Sequence, residues 1–355
     1  MDLSLFDYDL PPGMIAQSKA SPRDSSRLFL IDSRSDPHVH RHLIFRDIVD
    51  LVEAGDIIIF NRSRVIPARI PTRKTTGGRA EVLLLERVGE DSWEALVGGK
   101  KIREGSVLGT GDDKVLVKVE RRLDEGRCEV HFLRDEDRLS HAETLEWLKA
   151  WGLMPTPPYI KRFLEDPEEY QTVYADVEGS VAAPTAGLHF TEELIERVRA
   201  KGVRIEMITL HVGLGTFAPV KSERVEDHVM EEEYFSVPGS VMDGVREAVE
   251  QTARDGRKRI WAVGTTTMRT LESAFDGEGN CIRENGRTGL FITPGYRFRL
   301  PYKGFITNFH LPRSTPLMLV SAFHDRKRVL EAYGEAVKIG YRFYSLGDSM
   351  VIRRG

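Results

Sequence analysis

The chain has 355 residues, enough for about two domains at ~100–200 residues each. Hydrophobic residues make up 41% and charged residues 30%, a balance that supports a packed core and excludes global disorder. The formal net charge of −4 excludes a uniformly basic surface, so any face that binds phosphate must be a local patch.

No apolar run approaches the ~20 residues that a membrane-spanning helix needs. The opening Met1-Asp2-Leu3-Ser4 has no basic stretch followed by an apolar one. The expectation is a chain without a secretory signal that works in the cytoplasm. Cys128 and Cys281 lie far apart, which argues against a disulfide framework or a CxxC site.

In chain order, Gly55-Asp56 is a turn signal, and the apolar residues after it predict a buried strand over 56–60. From about 67 to 141 the pattern changes to short alternating stretches at 79–86, 92–97, 106–108, 114–120 and 127–133. Turns such as Gly109-Thr110-Gly111-Asp112-Asp113 separate them. Strands at that spacing predict a small antiparallel barrel. Helical periodicity returns at 142–151. Beyond it, helix and strand alternate. Thr191 caps a helix that ends near Ala200, with Glu192 and Glu193 in the first turn, where the helix dipole favours acid. A strand over 203–210 follows, then a helix from Pro238-Gly239-Ser240 to Asp255-Gly256. Next come a strand over 259–263, a helix from about Met268, a strand over 304–308 and a helix opened by Ser314-Thr315-Pro316. This alternation predicts an α/β fold with a mainly parallel, barrel-like sheet. The all-β antiparallel barrel, residues 67–149, is read as an insertion that splits an α/β catalytic domain into 1–66 and 150–355.

Four unusual segments follow predicted strands: Phe60-Asn61-Arg62-Ser63-Arg64, His211-Val212-Gly213-Leu214-Gly215-Thr216-Phe217, Gly264-Thr265-Thr266-Thr267-Met268-Arg269 and Asn308-Phe309-His310-Leu311-Pro312. In parallel α/β sheets ligands bind outside the carboxyl ends of strands, so these four segments are expected to share one rim. The hydroxyl-rich Gly264 turn opens a helix, where free N–H groups and the dipole favour a polar ligand. Arg269 and Glu272 stand three apart on that helix, spaced to meet a carboxylate and an ammonium. The turn is neither a Walker loop nor G-x-G-x-x-G, and no G-x-S-x-G is present, so ATP, NAD and serine hydrolysis gain no support. His38, His40 and His42 alternate as on one strand face and read as surface histidines rather than a metal site. Asp227-His228 joins a carboxylate to an imidazole, but neighbours on a helix do not face each other.

At these segments the chain resembles the S-adenosylmethionine:tRNA ribosyltransferase-isomerases of queuosine synthesis. The blocks that carry the resemblance include Asn61-Arg62-Ser63-Arg64-Val65-Ile66-Pro67, Met154-Pro155-Thr156-Pro157-Pro158-Tyr159-Ile160 and Ala183-Pro184-Thr185-Ala186-Gly187-Leu188-His189-Phe190. Others are Thr209-Leu210-His211-Val212-Gly213-Leu214-Gly215-Thr216-Phe217, Glu226-Asp227-His228 and Thr307-Asn308-Phe309-His310-Leu311-Pro312. They run in order from Asp7 to Ile352. Departures are small: Arg62 and Ser63 stand where Asn and Thr are usual, Arg313 where an acid is common, and Met268 where Val is common.

The resemblance implies an α/β fold interrupted by a β-barrel. It also implies transfer of the ribosyl part of S-adenosylmethionine to 7-aminomethyl-7-deazaguanine at the tRNA wobble position, with adenine and methionine leaving and epoxyqueuosine-tRNA formed. S-adenosylmethionine is then a co-substrate, with no metal or further cofactor expected, and the chain is expected to be a monomer. The chemistry needs acid–base groups, for which His189, His211, Asp227 and His228 are the candidates, with base and acid unassigned. Arg269 and Glu272 suit the amino-acid end of S-adenosylmethionine. Thr265, Thr266, Asn308 and His310 suit its ribose or adenine. For tRNA the candidates are Asn61, Arg62, Arg64 and Arg69, with Lys100, Lys101 and Arg103 on the insertion. On the residues alone two other classes stay open: a small-molecule α/β enzyme with no nucleic-acid partner, and an RNA-binding module without chemistry. Salt-sensitive tRNA binding separates the first, and release of adenine the second.

Overall fold

The strand Ile57–Asn61 is buried at every position, as expected of a strand covered on both faces. In the computed structural model it lies fourth in a nine-stranded sheet. The order is Asn285–Thr288, Glu233–Ser236, Arg204–Leu210, Ile57–Asn61, Ile260–Val263, Tyr302–Asn308, Ser349–Arg353, Arg27–Asp32 and Val39–Ile44. The structure describes all residues except 35–38, 158, 163, 165, 214–219 and 221.

The four strands from Arg204–Leu210 to Tyr302–Asn308 are mutually parallel. Both flanks turn antiparallel, so the sheet is mixed outside its parallel centre. Alternation along the strand divides the core. Ile57 and Ile59 face a cluster that includes Val241, Val245, Met268, Leu271, Leu317 and Val329. Ile58 and Phe60 face Leu194, Ile195, Val198 and Phe190. The helices Gly239–Asp255, Thr265–Ala274, Thr315–Phe323 and Arg326–Lys338 therefore cover one side, and Glu192–Ala200 the other. As expected, Thr191 caps that last helix, its hydroxyl accepting from Leu194 N.

The helix expected near Met268 begins at Thr265. Gly264, at φ 87°, makes the strand-to-helix turn, a conformation that favours glycine. The threonine hydroxyls then feed back into the helix, Thr267 Oγ1 donating to Val263 O at 2.7 Å and Thr270 Oγ1 to Thr266 O at 3.0 Å. The hydroxyl-rich stretch is thus the helix's own first turn.

A second sheet closes on itself through six antiparallel strands: Arg69–Lys74, Arg79–Arg87, Trp93–Gly98, Val107–Gly109, Val115–Arg122 and Arg127–Arg134. Its interior is apolar, built from Ile70, Val82, Leu84, Val117, Val130 and Phe132 among others. The strand Arg69–Lys74 escapes a sequence reading because Pro71 interrupts it. Helix His141–Trp151, opened by a Ser140/Glu143 capping box, packs Trp147 and Leu148 into the same core. A parallel pair, Ser63–Val65 with Val177–Ser180, places the chain's way into the barrel beside its way out.

His40 and His42 lie on the edge strand Val39–Ile44 and both reach Glu335, at 2.7 and 3.1 Å. His38 lies outside the described residues. Among the described residues no cluster of three or more metal-binding side chains occurs.

Candidate active site

The carboxyl ends of the parallel strands meet through Asn61. Its Nδ2 donates to Leu210 O at 2.9 Å and to Thr266 Oγ1 at 3.3 Å, and its Oδ1 accepts from Leu210 N at 3.0 Å and Ser63 N at 3.1 Å. One amide therefore ties three strand ends together. Fully used and buried, Asn61 has nothing left to offer a phosphate, so the tRNA contact expected of it gives way to a role inside the protein.

Above it lies a small cavity of about 50 Å³. Its walls include Thr185, Val212, Gly264, Thr265, Thr266, Thr307, Asn308 and His310. Segments after three different parallel strands thus share one space, as the sequence predicts. Residues 214–217 of the His211 segment lie outside the described residues. Thr265 and Thr266 also border a second cavity of about 20 Å³ with Met230, Arg269 and Phe291.

His189 sits behind this cavity rather than in it. Its Nδ1 meets Ser26 Oγ at 2.7 Å, its Nε2 meets Asn308 Nδ2 at 3.0 Å, and its ring stacks on Phe45. Thr185 Oγ1 donates to Asn308 Oδ1 at 3.1 Å, which fixes that amide and makes His189 Nε2 the acceptor. Burial pushes the His189 pKa down to about 4. His310 is held by Thr307 Oγ1 and Tyr333 OH, each at 3.2 Å, and burial lowers its pKa to about 3. Both imidazoles are neutral at pH 7.

Arg269 and Glu272 share a helix but not a task. Arg269 pairs with buried Glu233 and donates to Leu290 O at 3.0 Å and Thr288 O at 3.1 Å. Glu272 accepts from Tyr302 OH at 2.7 Å, Arg299 N at 2.9 Å and Tyr296 OH at 3.0 Å, while burial raises its pKa. Each side chain is satisfied within the protein, so neither is presented to a ligand in the way the spacing suggests.

His211 lines a larger cleft of about 380 Å³ between the barrel and the α/β unit, which adjoins the small cavity at Val212. Its imidazole lies between Gly179 and Tyr234. A Cβ on Gly179, which has φ 133°, would sit 3.0–3.3 Å from the ring atoms, and Tyr234 stacks on the ring at 5.9 Å and 20°. Only glycine leaves room for the ring there. Burial lowers the His211 pKa, and Glu86 partly restores it. No hydrogen bond holds either ring nitrogen among the described residues, and Nδ1 is buried.

Asp227 is exposed, and His228 packs edge-on against Phe291 rather than pairing with it. Of the basic candidates, Arg62 approaches Asp176 at 3.6 Å, Arg64 pairs with Glu168, and Arg69 lies 3.9 Å from Glu81. Lys100, Lys101 and Arg103 are exposed on the barrel. Lys101 and Arg103, with Arg122, line a cavity of about 320 Å³ that has no carboxylate in its wall among the described residues. Sequence reasoning missed Thr185, Gly179, Tyr234, Trp93 and His141. Thr185 lies in the Ala183–Phe190 block but is not singled out there; the other four belong to no segment whose pattern sets it apart, and only folding brings them together.

An α/β sheet with a polar cavity at its strand ends and a β-barrel leaning over it defines a class of nucleotide-handling enzyme with an added recognition unit. The comparisons make it specific. The profile described as "Queuosine biosynthesis protein" matches residues 3–352. An S-adenosylmethionine:tRNA ribosyltransferase-isomerase of Thermotoga maritima is 48% identical over 99% of this chain and 100% of its own length. One of Staphylococcus haemolyticus is 44% identical over the same shares. A crystal structure of the Thermotoga maritima S-adenosylmethionine tRNA ribosyltransferase covers 98% of this chain and 100% of its own, with a TM-score of 0.52 and 35% identity. The chain belongs to the S-adenosylmethionine:tRNA ribosyltransferase-isomerase family of queuosine biosynthesis and is an enzyme of that kind.

Proposed function

We propose that the chain transfers the ribosyl part of S-adenosylmethionine to the aminomethyl group of 7-aminomethyl-7-deazaguanine at the tRNA wobble position. The transferred sugar rearranges to an epoxycyclopentanediol, adenine and methionine leave, and epoxyqueuosine-tRNA forms. The observation that carries this reading is the single cavity shared by Val212, Gly264–Thr266, Thr307, Asn308 and His310, which adjoins the His211 cleft at Val212.

In this reading Thr265, Thr266 and Asn308 offer hydrogen bonds to the nucleoside, and His310, whose ring nitrogens are held by Thr307 and Tyr333, supplies wall surface to the same site. Thr185 and His189 orient Asn308, so His189 is a positioning residue. His211 is the proton acceptor, because its ring is neutral and no hydrogen bond from the described residues holds it. A sulfonium acidifies the adjacent ribose carbon, and an attacking amine must be neutral; a base serves both needs. Asp227 and His228, close in sequence to Met230 in the wall of the cavity of about 20 Å³, stay the candidates for assisting adenine's departure. Arg269 and Glu272 hold the helix and its surroundings in place.

Residues 67–149 form the inserted unit between 1–66 and 150–355. Lys100, Lys101 and Arg103 supply phosphate contacts there, and Arg62, Arg64 and Arg69 lie along the seam. The enzyme acts as a monomer in the cytoplasm. Incubation with S-adenosylmethionine and tRNA carrying the aminomethyl base should release adenine and add the cyclopentanediol mass to the tRNA. Absence of both refutes the reading; absence of salt-sensitive tRNA binding would favour a small-molecule substrate instead.

A further inference from the structure

The cleft of about 380 Å³ has two walls from different parts of the chain. One is the His211–Tyr234 stack of the α/β unit. The other belongs to the barrel, where Trp93 and the His141 ring stack at 5.2 Å and 27°. Trp93 is 2% exposed, and its Nε1 has no hydrogen-bond partner among the described residues. His141 resembles His211 in having a buried, unpartnered Nδ1 and no protein hydrogen bond to its other nitrogen among the described residues. A buried polar atom without a partner is uncommon in a folded chain, and three of them surround this one cleft.

The charge of the cleft is as specific as its aromatic walls. Its lining holds Glu86, Glu94, Glu178, Glu231, Glu232 and Glu233 against Arg87, Arg127 and Arg287. Arg269 and Lys149, just outside this lining, pair with Glu233 and Glu178, so six carboxylates meet five cations and the remaining negative charge leans towards a cationic ligand. Glu178 is the carboxylate best placed to accept one. It precedes Gly179, on which the His211 ring rests, and its charge is felt by the His141 ring. Its partner is Lys149 at 2.8 Å, a lysine 58% exposed, and an exposed pair of this kind is worth little and is readily exchanged.

We propose that Trp93 and His141 of the barrel, facing His211 and Tyr234, form a slot for the flipped-out aminomethyl nucleobase, and that Glu178 selects its ammonium group. This rests on the tRNA substrate given under Proposed function. The barrel then does more than hold phosphates: it reads the feature that distinguishes the precursor base from guanine. Stacking supplies sequence-tolerant affinity, and the carboxylate supplies the discrimination.

The test compares equilibrium binding of two tRNAs that differ only at the wobble base, one with the aminomethyl base and one with guanine. Proteins would be wild type, Glu178→Gln, Trp93→Phe and His141→Phe. Wild type should prefer the aminomethyl tRNA. Glu178→Gln should lower that preference ~10-fold or more by weakening binding of the aminomethyl tRNA alone. His141→Phe keeps aromatic bulk and should reduce aminomethyl tRNA binding with unchanged S-adenosylmethionine affinity and melting temperature; Trp93→Phe should reduce it likewise with unchanged S-adenosylmethionine affinity, but with a lower melting temperature, because Trp93 is part of the barrel core. An unchanged preference in Glu178→Gln, or unchanged binding in both ring variants, overturns the slot. Adenine release by the wild-type enzyme is read separately, so the slot can fail while the reaction stands.

Discussion

Lowering the pH should destabilise this fold well before carboxylates protonate, because two imidazoles are buried neutral. His189 and His310 have pKa values pushed by burial from 6.5 to about 4 and about 3. Above pH 7 neither the folded nor the unfolded chain protonates them. As the pH falls through 6.5 the unfolded chain takes up protons, while the folded chain refuses them until about pH 4 and 3. Their stabilising contribution is therefore complete above 6.5 and is lost as the pH falls towards those folded values. Each proton is worth about 1.4 kcal/mol per pH unit. Between pH 7.5 and 5 the two histidines together should remove ~4 kcal/mol, a large share of the ~5–15 kcal/mol that holds a typical protein folded. Urea denaturation followed by tryptophan fluorescence at pH 7.5, 6 and 5 measures the loss. His310→Gln removes one titrating group, so its loss over the same range should be ~2 kcal/mol smaller than wild type. The same pH dependence in both proteins would show that His310 is not held neutral by burial.

Gly179→Ala forces a Cβ against the His211 ring and strains a backbone at φ 133°; turnover should fall ~10–100-fold, with S-adenosylmethionine affinity by calorimetry little changed. Asn61→Ala leaves the N–H and C=O of Leu210 and the N–H of Ser63 without their buried partner, and chemical denaturation should register a loss of ~3 kcal/mol or more. Replacing Lys101, Arg103 and Arg122 together by Ala should weaken tRNA binding and flatten the slope of log K against log salt by ~2–3, leaving S-adenosylmethionine binding intact. An unaltered salt slope would remove that cavity from the tRNA path.

The parallel centre of the sheet was legible because its strands follow turn signals, and because Ile260–Val263 and Tyr302–Asn308 each lead towards a helix start. The flanks were not. Asn285–Thr288 reads Asn-Gly-Arg-Thr and carries no hydrophobic pattern; it becomes a strand only because Glu233–Ser236 lies beside it. Arg69–Lys74 hides behind Pro71. In the site, residue types were legible and orientations were not. His189 stood out as a titratable group, yet Ser26 and Asn308, 163 and 119 residues away, occupy both its nitrogens. Arg269 and Glu272 have the spacing of a ligand clamp. Glu233 and the Tyr296–Tyr302 hydroxyls, all distant in sequence, claim them first. Spacing says which groups can meet on one helix; it carries no information about what the rest of the fold brings up to them.

A net charge of −4 looks at first like an argument against a polyanionic partner. Its distribution answers the objection. Among the described residues Lys101, Arg103 and Arg122 gather around one cavity of the barrel without a carboxylate in its wall, whereas the cleft at the barrel's junction with the α/β unit collects six. Opposite ends of a substrate that is a phosphate chain with an ammonium on one base would be drawn to opposite fields. The two sides of the cleft are also joined across the junction by partly exposed ion pairs, Arg127 with Glu231 and Arg287 with Glu86. Such pairs contribute only ~0–1 kcal/mol each. They set the position of the barrel without locking it, and a substrate that offers its own cation to those carboxylates competes with the arginines on nearly equal terms. For the substrate proposed above, charge would thus link the entry of the base to the seating of the barrel, with no need for an excess of basic residues in the chain as a whole.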